Sequence, residues 1–120
     1  MKKSPMERRK APRLEKQLSV QLSAAAFDLT TETKNISSRG VCCEVDRPIP
    51  YMSKLRVTLQ LPVKEKGRTV LHPIRTEAVV VRSEAHFVAL YFERISPSDA
   101  AKIDDYVFTN LTGSPSLSSK

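Results

Sequence analysis

Leu55, Val57, Leu59 and Leu61 alternate with Arg56, Thr58 and Gln60. A chain that repeats its apolar residues at every second position is committed to a strand with one buried face. The same period runs through Leu18, Val20 and Leu22, which Ser19 and Gln21 separate. Further β-prone runs lie at residues 25–30, at 40–45, from Val70 to the β-branched stretch 78–81, and at 87–92. Pro48 and Pro50 break the chain after the third run, and Pro62 is expected to end the fourth. A turn is predicted at residues 64–67, where Gly67 can take a positive φ, and Pro73 makes the start of the fifth strand irregular. Six short strands at this spacing predict an all-β fold, a small barrel or sandwich, of which a six-stranded antiparallel β-barrel is the one expected.

The period changes near the end of the chain. Ser96 suits a helix cap, Pro97 the first helical position and Asp99 the acid of a capping box. Ala100, Ile103, Val107 and Leu111 then share one helical face with Tyr106 at its flank, so one C-terminal α-helix is expected against the barrel. The predicted organisation is a flexible basic arm over residues 1–13, a barrel with its helix over 14–111, and a disordered tail over 112–120 rich in serine.

A chain of 120 residues buries roughly two-thirds of the surface that its unfolded form exposes, enough for one core without disulfide or metal. Cys42 and Cys43 are adjacent, so on a strand they point to opposite faces and do not bridge. No zinc spacing is present in the sequence, and neither histidine, His72 nor His86, has a partner pattern, so both read as surface residues. With no apolar run near the ~20 residues of a membrane helix and no apolar stretch behind the charged N-terminus, membrane insertion is not expected and the cytoplasm is the expected location.

Charge is concentrated at one end. Lys2, Lys3, Arg8, Arg9, Lys10, Arg13 and Lys16 stand against Glu7 and Glu15, so the first 16 residues carry +5 of the net +7. A localised cationic segment suits a phosphate-bearing partner. Within it, Pro12 removes an amide donor and holds Ala11 extended. In an extended chain Arg9 and Arg13, four apart, share a face. Guanidinium groups pair bidentately with phosphate and with the O6/N7 edge of guanine, and they stack on flat rings. A second polar element, Asn35-Ile36-Ser37-Ser38-Arg39-Gly40, falls between two strands. Ile36 anchors it in the core, so Asn35 and Ser37 face outward with an amide and a hydroxyl. Gly40 permits a positive φ or a close backbone approach.

An RxxxR arm at Arg9 and Arg13, an NxSxxG element at Asn35, Ser37 and Gly40, six strands and a helix, in this order, resemble the PilZ domain family over roughly residues 7–111. The stretch from Val79 to Phe92, with Arg82 and the ending Ala89-Leu90-Tyr91-Phe92, is similar to the family's late strand pair, with Ala89 where the family commonly has glycine. The resemblance implies binding of cyclic di-GMP as ligand, with no cofactor, and a role as an effector in motility, polysaccharide or virulence control through a protein partner. It assigns Arg9 and Arg13 to phosphates and guanine edges, and Asn35 and Ser37, with Gly40 leaving room, to the second guanine. Arg8 goes with a stacked pair of ligands. Lys10, Arg39 and Arg82 are further candidate contacts, Arg82 as a stacking group. Asn35 stands where aspartate is more frequent, so its acceptor is neutral.

Two other readings stay open at this point. One is a nucleic-acid-binding small barrel, against which the low aromatic content (6%, no tryptophan) argues. The other is a protein-interaction module that works without ligand. No Ser/His/Asp order, metal-ligand cluster or carboxylate pair points to catalysis, so a receptor rather than an enzyme is expected. The arm, with Met6 and Ala11 as its only plausible apolar contributors besides the prolines, is expected to order around the ligand and so act as the switch.

Overall fold

The computed structural model describes residues 13–25 and 27–111. Six antiparallel strands close into a barrel: β1 (Ser19–Ala24), β2 (Phe27–Ser37), β3 (Gly40–Glu44), β4 (Lys54–Glu65), β5 (Arg68–Ser83) and β6 (Phe87–Phe92). Their order around the barrel is β1-β2-β3-β6-β5-β4, and one helix, α1 (Pro97–Leu111), follows. The alternation read in the sequence fills the interior. Val20 and Leu22 of β1, Val57, Leu59 and Leu61 of β4, and Ile74, Val80 and Val88 across β5 and β6 are almost wholly buried.

α1 begins as its cap predicts. The Asp99 amide donates to Ser96 Oγ at 3.0 Å and the Ala100 amide to the Ser96 carbonyl at 2.9 Å. Ile103 and Val107 are fully buried against the barrel, whereas Leu111, expected on the same face, stays 46% exposed at the helix end. The Asp99 carboxylate reaches His72 of β5, with Nε2 3.5 Å from Oδ1. His72 therefore has a partner that the sequence pattern did not suggest.

Three boundaries differ from expectation. Pro62 does not end β4, which continues to Glu65, and β5 runs unbroken through Pro73. The reason is edge geometry. β1 pairs with β4 only over Arg56–Leu59, and β6 with β5 only over Ala78–Ser83. Beyond those limits β4 and β5 form a two-stranded hairpin, where a missing proline amide leaves no third strand short of a bond. Its turn is narrower than predicted, at Lys66 (φ 53°) and Gly67 (φ 80°), the left-handed pair that a two-residue hairpin loop requires.

The third difference bears on function. β2 extends to Ser37, so Asn35 and Ser37 lie on a strand and only Ser38 and Arg39 make the turn to β3. The extension escaped the sequence pattern because its inward residue is polar. Thr33 is fully buried, with its Oγ1 accepting from the Leu18 amide (2.9 Å) and donating to the Lys16 carbonyl (2.6 Å). Leu14 adds a bridge to Ile36, with reciprocal amide–carbonyl bonds of 2.9 Å. These contacts fasten the segment ahead of β1 to β2, so Arg13 emerges beside Asn35 and Ser37.

Candidate functional site

The outer face of β2, β3, β6 and β5 carries a cleft of about 520 Å³, a volume suited to a nucleotide-sized ligand. Arg13, Asn35, Ser37, Arg39, Gly40 and Arg82 all line it. Lys34, Cys42, Phe87 and Tyr91 complete the parts that bear on chemistry. Among the described residues its lining holds four cations, Arg13, Lys34, Arg39 and Arg82, and no carboxylate. A second cleft of similar volume, between the β4–β5 hairpin and α1, holds Lys64 and Lys102 against Glu65 and Asp105. Its charges cancel, whereas the first cleft presents a field that selects an anion.

Two β-bulges build this charge. Between Thr33 and Asn35 the β2–β3 register slips by one, with Thr33 opposite Cys43 and Asn35 opposite Cys42. The extra residue turns Lys34 and Asn35 outward together. Between Val80 and Arg82 the β5–β6 register slips in the same way, with Val80 opposite Leu90 and Arg82 opposite Ala89. Val81, beside the buried Val80, is 47% exposed as strand alternation places it, and the slip turns Arg82 outward as well. Neither bulge was read from the sequence, because a single slipped residue looks there like an imperfect alternation.

Convergence of the cations shows at Cys42. Burial pushes its thiol pKa up, and Lys34, Arg13 and Arg82 act against that by their charge. Cys43, on the opposite face, is fully buried, and burial raises its pKa much further. Arg82 Nε lies 3.2 Å from Glu84 Oε2. The guanidinium also rests over the Phe87 ring, 5.5 Å from its centroid, and Lys34 Nζ sits 4.9 Å from the same centroid.

Ser37 and Gly40 have structural duties as well. Ser37 Oγ accepts from the Arg39 amide at 3.1 Å, which closes the β2–β3 turn. Its own proton is left to a long 3.4 Å contact with the Gly40 carbonyl. Gly40 has no positive φ. A Cβ there would fall on the Leu90 carbonyl oxygen of β6, with Leu90 C at 3.0 Å and Tyr91 Cα at 3.2 Å. Of the two explanations that the sequence allows for this glycine, close backbone approach is the one found, and the room that it keeps is room for β6.

Of the nine candidate residues, six meet in one cleft, and Arg39 and Arg82 take part as fully as those of the two motifs. Arg8, Arg9 and Lys10 lie outside the described residues, as does the predicted arm apart from Arg13. Lys34 and Phe87 were not singled out in the sequence. The one signal available was the basic residue immediately ahead of Asn35.

Comparison with known proteins bears on the fold and the family. No curated protein matches the chain significantly. Among solved structures, the inhibitor of motility MotI/DgrA of Bacillus subtilis superposes with a TM-score of 0.77 at 25% identity, over 90% of this chain and 53% of that one. The chain thus spans about half the length of that relative. The PilZ domain of YcgR from Escherichia coli, solved with c-di-GMP, shares the fold at a TM-score of 0.60 and 11% identity, over 85% of this chain and 90% of that one. The PilZ domain of CeSA from a cellulose-synthesizing bacterium does so at 0.56 and 14%, over 83% and 98%. Residues 7–109 match the PilZ domain itself, and with that match spanning most of its length the chain belongs to the PilZ domain family.

Proposed function

We propose that this protein is a receptor for cyclic di-GMP that binds the nucleotide in the cationic cleft and signals to a protein partner without turning it over. The observation that carries this reading is the meeting of Arg13 with Asn35, Ser37, Arg39 and Arg82 on one outer face, with no lining carboxylate among the described residues. A dianionic ligand with two guanines matches that set. Arg13, with Arg9 and Arg8 from the arm, takes phosphate and the O6/N7 edges of guanine. Asn35 offers an amide acceptor to guanine N–H groups, and the weakly held Ser37 proton is available to a ligand acceptor. Arg39 and Arg82 supply further charge and a flat surface for stacking.

In this reading the barrel is a fixed platform and residues 1–13 close over the ligand. Arm, nucleotide and cleft rim together then form the surface that a partner reads. The family and the c-di-GMP in the YcgR structure support the ligand. The likeness to an inhibitor of motility favours motility among the processes that such a receptor could control. Titration calorimetry with cyclic di-GMP, GTP and a single-stranded oligonucleotide tests the reading. Saturable heat is expected with the cyclic compound, with far weaker binding of GTP, because a closed ring presents both phosphates with little freedom left to lose. Equal affinity for GTP, or preference for the oligonucleotide, would refute it.

A further inference from the structure

Lys34 and Phe87 belong to neither sequence motif, yet three strands bring them together with Arg82. β2 delivers Lys34 at its bulge, β5 delivers Arg82 at the other, and β6 begins with Phe87. Both cations lie over the one ring, at 4.9 and 5.5 Å from its centroid. An aromatic face attracts a cation through its quadrupole and carries no net charge, so a cation resting on it keeps its full charge for an incoming anion. A carboxylate in the same place would neutralise it. Among the described residues no carboxylate forms an ion pair with Lys34. Glu44, cross-strand from Phe87, pairs with neither cation. Glu84 meets Arg82 through Nε only, and a guanidinium has four more N–H donors.

We propose that Lys34 and Arg82, gathered over Phe87, form a second phosphate-holding arm of the cleft, separate from the RxxxR arginines, and that Phe87 is the residue that positions both. The inference rests on the cleft being the cyclic di-GMP site and deepens that reading. A cyclic dinucleotide carries two phosphodiesters, and the RxxxR pair and the Lys34–Arg82 pair take one each. Lys34, held by a ring rather than by an acid, leaves no ion pair to meet a phosphate, and Arg82 meets Glu84 through Nε alone and offers its remaining N–H donors.

Calorimetry with cyclic di-GMP on the full chain, at low and at raised salt, tests it. Lys34→Met is expected to weaken binding about tenfold, the scale of one lost charge-assisted contact, and to flatten the salt dependence. Phe87→Leu should weaken binding roughly three- to tenfold with an unchanged melting temperature. Phe87→Tyr, which keeps the ring face, should restore the affinity. Wild-type affinity and salt dependence in Lys34→Met, alongside loss of binding in Arg13→Ala, would overturn this inference and leave the receptor reading standing. Unchanged affinity in Phe87→Leu would equally remove its positioning role. No binding of cyclic di-GMP by the unaltered chain would overturn both.

Discussion

Replacing Gly40 by alanine separates two accounts of the glycine in the NxSxxG element. If the residue serves only to admit a ligand, Gly40→Ala changes binding and leaves the empty protein untouched. The structure places the new methyl on the Leu90 carbonyl oxygen, and this obstacle is backbone rather than a side chain that can turn away. To restore ordinary contact β3 and β6 must part by about 1.4 Å at this point. The 2.8 Å bond from the Phe92 amide to the Arg39 carbonyl lies beside the clash and would be stretched beyond useful geometry. One or two backbone bonds at ~0.5–1.5 kcal/mol each, added to ~1–3 kcal/mol for overpacking, give a loss of about 1.5–6 kcal/mol. For a domain of roughly 100 ordered residues the unfolding entropy makes 1 kcal/mol worth about 5 °C, so the melting temperature should fall by ~8–30 °C. Thermal unfolding followed by circular dichroism, without ligand, reads this directly. A melting temperature within a degree or two of wild type would refute the packing argument and return Gly40 to a purely ligand-facing role.

Other outcomes follow from the same contacts. Thr33→Val keeps the volume but strands the Leu18 amide and the Lys16 carbonyl, and urea denaturation should show a loss of about 2–3 kcal/mol. Because that hydroxyl fastens the segment bearing Arg13, the variant should also bind cyclic di-GMP more weakly. Cys42, its pKa raised by burial, should react slowly with iodoacetamide at pH 8 and faster as pH climbs beyond the ordinary thiol range, while saturating cyclic di-GMP should protect it; mass spectrometry of the labelled protein checks both. Since both thiols remain neutral in the fold at pH values where unfolded thiols ionise, stability should decline as pH rises through that range, as alkaline denaturation would show. Arg8→Leu should lower the number of cyclic di-GMP molecules bound at saturation from two to one, as the calorimetric stoichiometry reports.

How far the sequence could be read depended on whether apolar residues carried the message. β1, β6 and the barrel half of β4 were legible because Leu, Val and Phe mark every second position. α1 was legible from its cap and from Ile103 and Val107. β2 was cut short in the sequence reading because a threonine stands at its inward position, and hydroxyl burial balanced by two backbone partners leaves no apolar trace. Pro62 and Pro73 misled because a proline breaks a strand only where a neighbour needs its amide, and pairing partners are a property of topology. At the site, the motif residues Asn35, Ser37 and Gly40 were found from their spacing. The contribution of Lys34 and Phe87 depends on two bulges that join residues 53 positions apart. Spacing along the chain holds no sign of such a pairing.

The claim on which the rest depends is the location of the ligand, and an NMR titration of ¹⁵N-labelled protein with cyclic di-GMP tests it most directly. The account predicts that amide shifts concentrate at Arg13, at residues 34–42 around the β2–β3 turn, and at 81–91 across the late strand pair, where the cleft lies. Lys64, Thr69, Lys102 and Asp105, which line the charge-balanced groove beside α1, should hold their positions. Shifts confined to that groove, or an unchanged spectrum at saturating ligand, would contradict it.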